Sequence, residues 1–129
     1  MNPGTADAAE VAKLQGAWRQ VRLEADGIEN PAEEFDAGGT TVFSGTTFTV
    51  YNLDGSVVLE GSFSIDASTS PKAIDWIDSI GPDAGKALPA SYELDGDTFV
   101  FIAGNEGSRR PTAFATKMGE TMRSFVRIR

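Results

Sequence analysis

Short runs of alternating apolar and polar residues, separated by tight-turn signals, recur at spacings of about ten residues along most of this chain. Such alternation places every second side chain on one face of a β-strand. Turn signals such as Asp54-Gly55 and Asp95-Gly96 join neighbouring runs directly, so that consecutive strands pair as hairpins. The predicted strands are Gly16–Ala25, Thr40–Ser44, Thr46–Leu53, Ser56–Ile65, Ala73–Ile80, Leu88–Leu94, Thr98–Ala103, Thr112–Thr116 and Thr121–Ile128. The pattern predicts an all-β fold, an eight- to nine-stranded antiparallel up-and-down barrel, because Greek-key crossings need longer connections.

Two short helices are predicted beside these strands. Asp7 and Glu10 have the spacing of a capping box, and Val11 and Leu14 share one side of the helix that follows. A second helix is predicted over 30–38, where a proline follows a capping Asn and a Gly ends the segment. We therefore expect residues 1–13 to form a tail and short helix, and residues 14–129 to form a single barrel domain.

Composition excludes several classes of function. The chain has 0 cysteines and 0 histidines, which removes thiolate chemistry and the commonest general base and metal ligand. Its net charge of −8 disfavours binding to nucleic acid and to anionic membranes. Neither a membrane span nor a signal peptide is visible, so we expect a cytoplasmic protein, or a secreted or periplasmic one if the N-terminus was trimmed. No cofactor is predicted.

The segment Gly16-Ala17-Trp18 opens the first strand. Trp18 is out of phase with the apolar residues Val21 and Leu23 that follow it. A β-bulge near Arg19 would turn Trp18 inward. We therefore expect Trp18 to plug one end of the barrel.

Five segments in this order and spacing resemble an uncharacterised lipocalin-like bacterial family that is abundant in planctomycetes. They are Leu14–Trp18, with the Leu-Gln-Gly-x-Trp opening, Pro71–Asp75, Gly81–Lys86, Tyr92–Asp97 and Arg110–Phe114. The resemblance covers nearly the whole chain from Leu14 onward. It implies a lipocalin-like, or calycin, barrel and adds little about mechanism.

The wider lipocalin group pairs the Trp of Gly-x-Trp with an Arg on the last strand. Arg123, Arg127 and Arg129 are candidates here, and we choose Arg127 as a structural partner of Trp18.

The aromatic residues predict either a lined pocket or a filled core. The inward-facing candidates for ligand contact are Phe48, Phe63, Trp76, Tyr92 and Phe101, with the Tyr92 hydroxyl as a polar group. We therefore predict a non-catalytic module that binds a small, largely apolar ligand inside the barrel. The alternative is a protein-interaction or structural domain with a filled barrel and no small-molecule ligand.

Acidic residues do not form a convincing catalytic or metal site. Asp78 shares the side of Trp76 in its strand, where a carboxyl of raised pKa would serve as a general acid, but no second catalytic group is identifiable. Asp95 and Asp97, with Asp54 or Asp66 nearby, lack the spacing of a calcium loop and read as turn residues. No enzyme activity and no metal are predicted.

Overall fold

A computed structural model describes residues 4–30, 39–81 and 84–128. Within these ranges, one helix precedes nine strands. The helix is α1 (Gly4–Leu14), and the strands are β1 (Gly16–Ala25), β2 (Ile28–Asn30), β3 (Thr40–Ser44), β4 (Thr47–Tyr51), β5 (Val57–Asp66), β6 (Lys72–Asp78), β7 (Ala87–Asp95), β8 (Thr98–Ala103) and β9 (Thr121–Arg127). The helix predicted over 30–38 lies outside the described residues, except for Asn30, which ends β2.

The strands form a closed antiparallel barrel. From β3 to β9 each strand pairs with the next one along the chain, and β1 joins both β3 and β9. Eight strands close the barrel, and the short β2 is an extra strand that pairs with the second half of β1. The predicted up-and-down barrel is confirmed. Closure leaves the edges of these eight strands paired, which is how a barrel removes exposed strand edges.

A register shift lies in β1 between Gln20 and Arg22, where β1 pairs with β9. Before the shift, Trp18 and Gln20 face the barrel interior. Val21, which lies at the shift, is 44% exposed. The bulge expected near Arg19 is therefore present one to two residues later. The expectation that Val21 shares the inner face is wrong, because the bulge changes the phase of the alternation at that residue.

The connection between β8 and β9 differs from the prediction. Thr112–Thr116 forms no strand, and Arg110 and Pro111 just before it lie against the outside of β7. The Ser91 hydroxyl donates a hydrogen bond to the Pro111 carbonyl at 2.5 Å, and Arg110 donates to the Ala90 carbonyl at 2.7 Å. The first bond satisfies a carbonyl group of the connection, and the second joins the Arg110 side chain to β7. A row of outward-facing residues on β6 to β9 is buried here: Ala73, Ser91, Ile102 and Met122.

One half of the barrel interior is filled by side chains. Leu14 at the end of α1 and Trp18, Ile74, Tyr92 and Phe99 are at most 1% exposed. The helix α1 packs across this end of the barrel and contributes Leu14 to the core. The filled half leaves the other half, toward the far ends of the strands, as the space in which a site can form.

Candidate functional site

The barrel contains a cavity of about 510 Å³ in the half that lies away from α1. This volume lies within the roughly 300–1,000 Å³ that is typical of small-molecule sites. The structure therefore combines a packed end with a hollow end. The filled interior that we considered as an alternative describes only the end beside α1.

Aromatic rings form the inner boundary of this cavity, and we call them the aromatic floor: Phe43, Phe48, Trp76, Phe101 and Phe125. Trp76 is the central member, with ring centroids 5.3 Å from Phe48 and 4.8 Å from Phe101. Phe101 stacks on Phe125 at 6.0 Å. Because each ring packs on a neighbour at a favourable aromatic separation, the floor presents a firm apolar surface to the cavity.

The wall above the floor combines aliphatic and polar side chains. Val50, Val58, Leu59, Leu88 and Ala103 supply apolar surface. Polar groups come from both sides of the barrel: Gln20, Thr41, Asn52, Asp78, Asn105, Thr121 and Arg123. Asp78, on β6, is buried as well. A largely apolar cavity with a few polar groups is the usual chemistry of a small-molecule site.

In the described part of the chain, Arg123 is the one Lys or Arg that lines this cavity. Its Nη1 donates to the Gln20 side-chain oxygen at 3.3 Å, and its location on β9 places it opposite Phe101. Burial lowers the pKa of the Arg123 guanidinium from its usual value. Arginine nevertheless stays protonated in proteins, so the cavity contains a positive charge.

The indole N–H of Trp76 has no hydrogen-bond acceptor in the described part of the chain, although the atom is buried. Leaving a buried donor unpaired costs about 1–3 kcal/mol. Native structures contain few such groups, and each one calls for an explanation.

At the packed end, the structure brings Trp18 and Arg127 together. The Arg127 guanidinium carbon lies 4.3 Å from the centre of the Trp18 ring. Arg127 also donates to the carbonyls of Lys13 at 2.6 Å and Gln15 at 2.8 Å. The Trp18 indole N–H donates to the Leu14 carbonyl at 2.8 Å. Both side chains thus satisfy carbonyl groups at the C-terminal end of α1, which the helix itself leaves without partners.

A buried carboxylate fastens α1 to the barrel at the same end. Glu10 accepts hydrogen bonds from Tyr92 at 2.7 Å, from Lys72 at 3.0 Å and from Lys13 at 3.0 Å. Burial by itself raises the pKa of Glu10, but these three donors outweigh it and lower the pKa to about 2. Burial and the bond to Glu10 raise the pKa of the Tyr92 hydroxyl, so it stays protonated. This cluster is saturated with internal partners and fits a structural task.

The structure places the sequence-predicted ligand contacts in two groups. Phe48, Trp76 and Phe101 belong to the aromatic floor. Phe63 and Tyr92 do not line the cavity and lie in the packed core. The Tyr92 hydroxyl that we expected as a polar group for a ligand is instead bonded to Glu10. The five residues share the inner face of the barrel, but they lie at different heights along its axis.

Sequence reasoning missed Gln20 and Arg123 as cavity residues. Arg123 was considered only as a partner for Trp18. A signal was present, because Arg123 and Arg127 are four residues apart on β9 and therefore face the same side of a strand. The structure is needed to show that Trp18 lies at the height of Arg127 in the barrel, so that Arg127 covers Trp18 and Arg123 reaches the cavity.

Within residues 4–30, 39–81 and 84–128, no cluster of three or more acidic residues is arranged to hold a metal ion. The described helix is too short and too polar to cross a membrane. No family model, curated protein or solved structure matches the chain. The resemblance to the planctomycete family stays a prediction.

Proposed function

We propose that this protein is a non-catalytic, lipocalin-like module that binds a small, largely apolar molecule in the hollow half of its barrel. The observation that carries the proposal is the cavity of about 510 Å³ above the aromatic floor. Burial of an apolar molecule there gains about 25 cal/mol for each Å² that is removed from water.

The division of the barrel supports binding over a purely structural task. A domain that needs only stability gains from filling its interior, since unfilled space costs packing energy. Here the end beside α1 is filled, whereas the aromatic floor faces open space. A barrel with one packed end and an apolar surface facing open space is typical of a fold that holds a ligand.

A cavity-filling variant tests this proposal. Leu88 lines the cavity, so Leu88→Trp places an indole in the space that a ligand would occupy. Ile77 lies outward on the neighbouring strand and is 40% exposed, so Ile77→Trp adds the same indole outside the barrel and serves as the matched control. Binding of the neutral apolar dye N-phenylnaphthylamine is measured from the rise in its own fluorescence.

We expect the wild type and Ile77→Trp to bind the dye with equal affinity. Leu88→Trp is expected to bind it at least about tenfold more weakly, which corresponds to a loss of about 1.4 kcal/mol. Native mass spectrometry of protein from its own host should show a small molecule bound to the wild type. The proposal fails if the wild type binds neither the dye nor any co-purifying molecule, or if Leu88→Trp binds the dye as well as its control does.

A further inference from the structure

The cavity contains a cation whose charge has no partner in the described part of the protein. Three other arginines, Arg22, Arg110 and Arg127, each form an ion pair with a carboxylate. Arg123 instead contacts the neutral amide of Gln20, and no described carboxylate lies within ion-pair distance of it. A partly buried cation without an anion is costly to hold, because it loses hydration and gains little in return.

The position of Arg123 makes that charge available to a ligand. It projects from β9 into the cavity, next to the aromatic rings of Phe101 and Phe125. Gln20, on the neighbouring β1, holds Nη1 through its side-chain oxygen. A guanidinium has five donors, so one bond to Gln20 leaves others for an acceptor in the cavity.

The single guanidinium in the cavity favours an anion with one negative charge over an anion with two. Among the described residues that line the cavity, Arg123 is the one basic residue and Asp78 the one acidic residue. Asp78 lies on β6, which is separated from β9 by β7 and β8 around the barrel. A monoanion at Arg123 is matched by one guanidinium. A doubly charged phosphate would bring in a second negative charge where the described lining supplies no further cation, in a chain of net charge −8.

We propose that the occupant of the cavity is a small amphipathic monocarboxylate, with its carboxylate on Arg123 and its apolar body on the aromatic floor. This inference rests on the proposed function and adds the chemical class of the ligand. A planar carboxylate matches the paired donors of a guanidinium, and such charge-assisted bonds are about twice as strong as neutral ones. The floor accepts the hydrocarbon part of the same molecule without any further polar contact.

Two matched ligands and two arginine variants test the inference. Decanoate and decanol share one hydrocarbon chain and differ in the headgroup, and both are titrated by displacement of bound N-phenylnaphthylamine. Arg123→Met removes the charge and keeps a long side chain. Arg19→Met removes a charge from an exposed position on β1 and is the control for net charge.

We expect the wild type to bind decanoate at least about tenfold more tightly than decanol, since a charge-assisted bond is added. Arg123→Met should lose this preference while its affinity for decanol stays within about twofold. Arg19→Met should behave as the wild type does. Urea unfolding of Arg123→Met without ligand should show stability at least equal to that of the wild type, because the variant buries no unpaired charge.

The outcomes separate this inference from the proposed function. If the wild type binds both ligands equally, or if Arg123→Met keeps the preference for decanoate, the carboxylate inference is overturned and the binding module stands. If the wild type binds neither ligand, nor the dye, nor any co-purifying molecule, both proposals fail. The comparison of decanoate with decanol on the wild type decides the matter even if Arg123→Met does not fold.

Discussion

At the scale of single residues, the packed end of the barrel depends on Trp18 and Arg127. The Trp18 ring is fully buried, tilts against Phe99 at 6.0 Å and is covered by the Arg127 guanidinium. The same guanidinium pairs with Asp97 through Nε at 3.1 Å and with two carbonyls near the end of α1. One side chain therefore links the first strand, the last strand and the helix.

Substitution of Trp18 tests how much this end contributes to stability. Trp18→Ala removes a buried ring and the hydrogen bond to Leu14, and we expect the free energy of unfolding to fall by about 3–5 kcal/mol. Trp18→Phe keeps an aromatic ring and should lose less. Urea denaturation at neutral pH measures both variants. A loss below about 1 kcal/mol for Trp18→Ala would contradict the packing described above.

At the scale of secondary-structure elements, α1 is held by the Glu10 cluster as well as by Arg127. The Glu10 side chain is 5% exposed and joins the helix to β6 through Lys72 and to β7 through Tyr92. Because these donors favour the charged carboxylate, the folded protein holds a lower Glu10 pKa than the unfolded chain does. Docking of the helix is therefore coupled to pH.

Acid should weaken the protein through Glu10. A lowered folded pKa contributes stability that is present above the ordinary value of 4.5 and is lost as the pH falls toward about 2. Glu10→Gln should be less stable than the wild type at pH ~7 by about 1–3 kcal/mol. The difference between the two should shrink as the pH falls through that window. Urea unfolding across the range measures this, with Glu93→Gln at an exposed site as the control. A difference that does not change with pH would rule out Glu10 as the cause.

Two elements show which features of the structure the sequence patterns do not predict. The alternation in β1 predicts the strand and suggests a bulge, but only the pairing with β9 shows that the register shifts between Gln20 and Arg22. The connection 104–120 has strand-like residues at Thr112–Thr116, yet these residues form no strand. Pro111 just before them is buried, and its carbonyl accepts a hydrogen bond from Ser91 on the outside of β7. This tertiary contact overrides a short local propensity.

At the scale of the whole molecule, the barrel has one filled and one hollow half. A ligand that enters the hollow half binds the folded state and has no site in the unfolded chain. Mass action then requires that the ligand stabilise the fold. This links the cavity to a measurement that needs no knowledge of the natural ligand.

Thermal unfolding with the neutral dye N-phenylnaphthylamine tests that link. At a concentration of one hundred times its Kd, a ligand adds about 2.7 kcal/mol of stability, which raises the Tm of a domain of this size by several degrees. We expect this increase for the wild type and for Ile77→Trp, and little increase for Leu88→Trp. A Tm that rises equally in all three proteins would place the dye outside the barrel cavity.

The sequence by itself determined the fold class, because alternation and turn signals are local properties that can be recognised in short stretches of the chain. It also placed Phe48, Trp76 and Phe101 on the inner face, since the two-residue period of a strand decides which side a residue faces. Height along the barrel axis is a different matter, because it depends on the register between strands that are distant in sequence. Only the tertiary structure therefore decided that Tyr92 bonds to Glu10, that Arg127 covers Trp18, and that Arg123 carries its charge into the cavity.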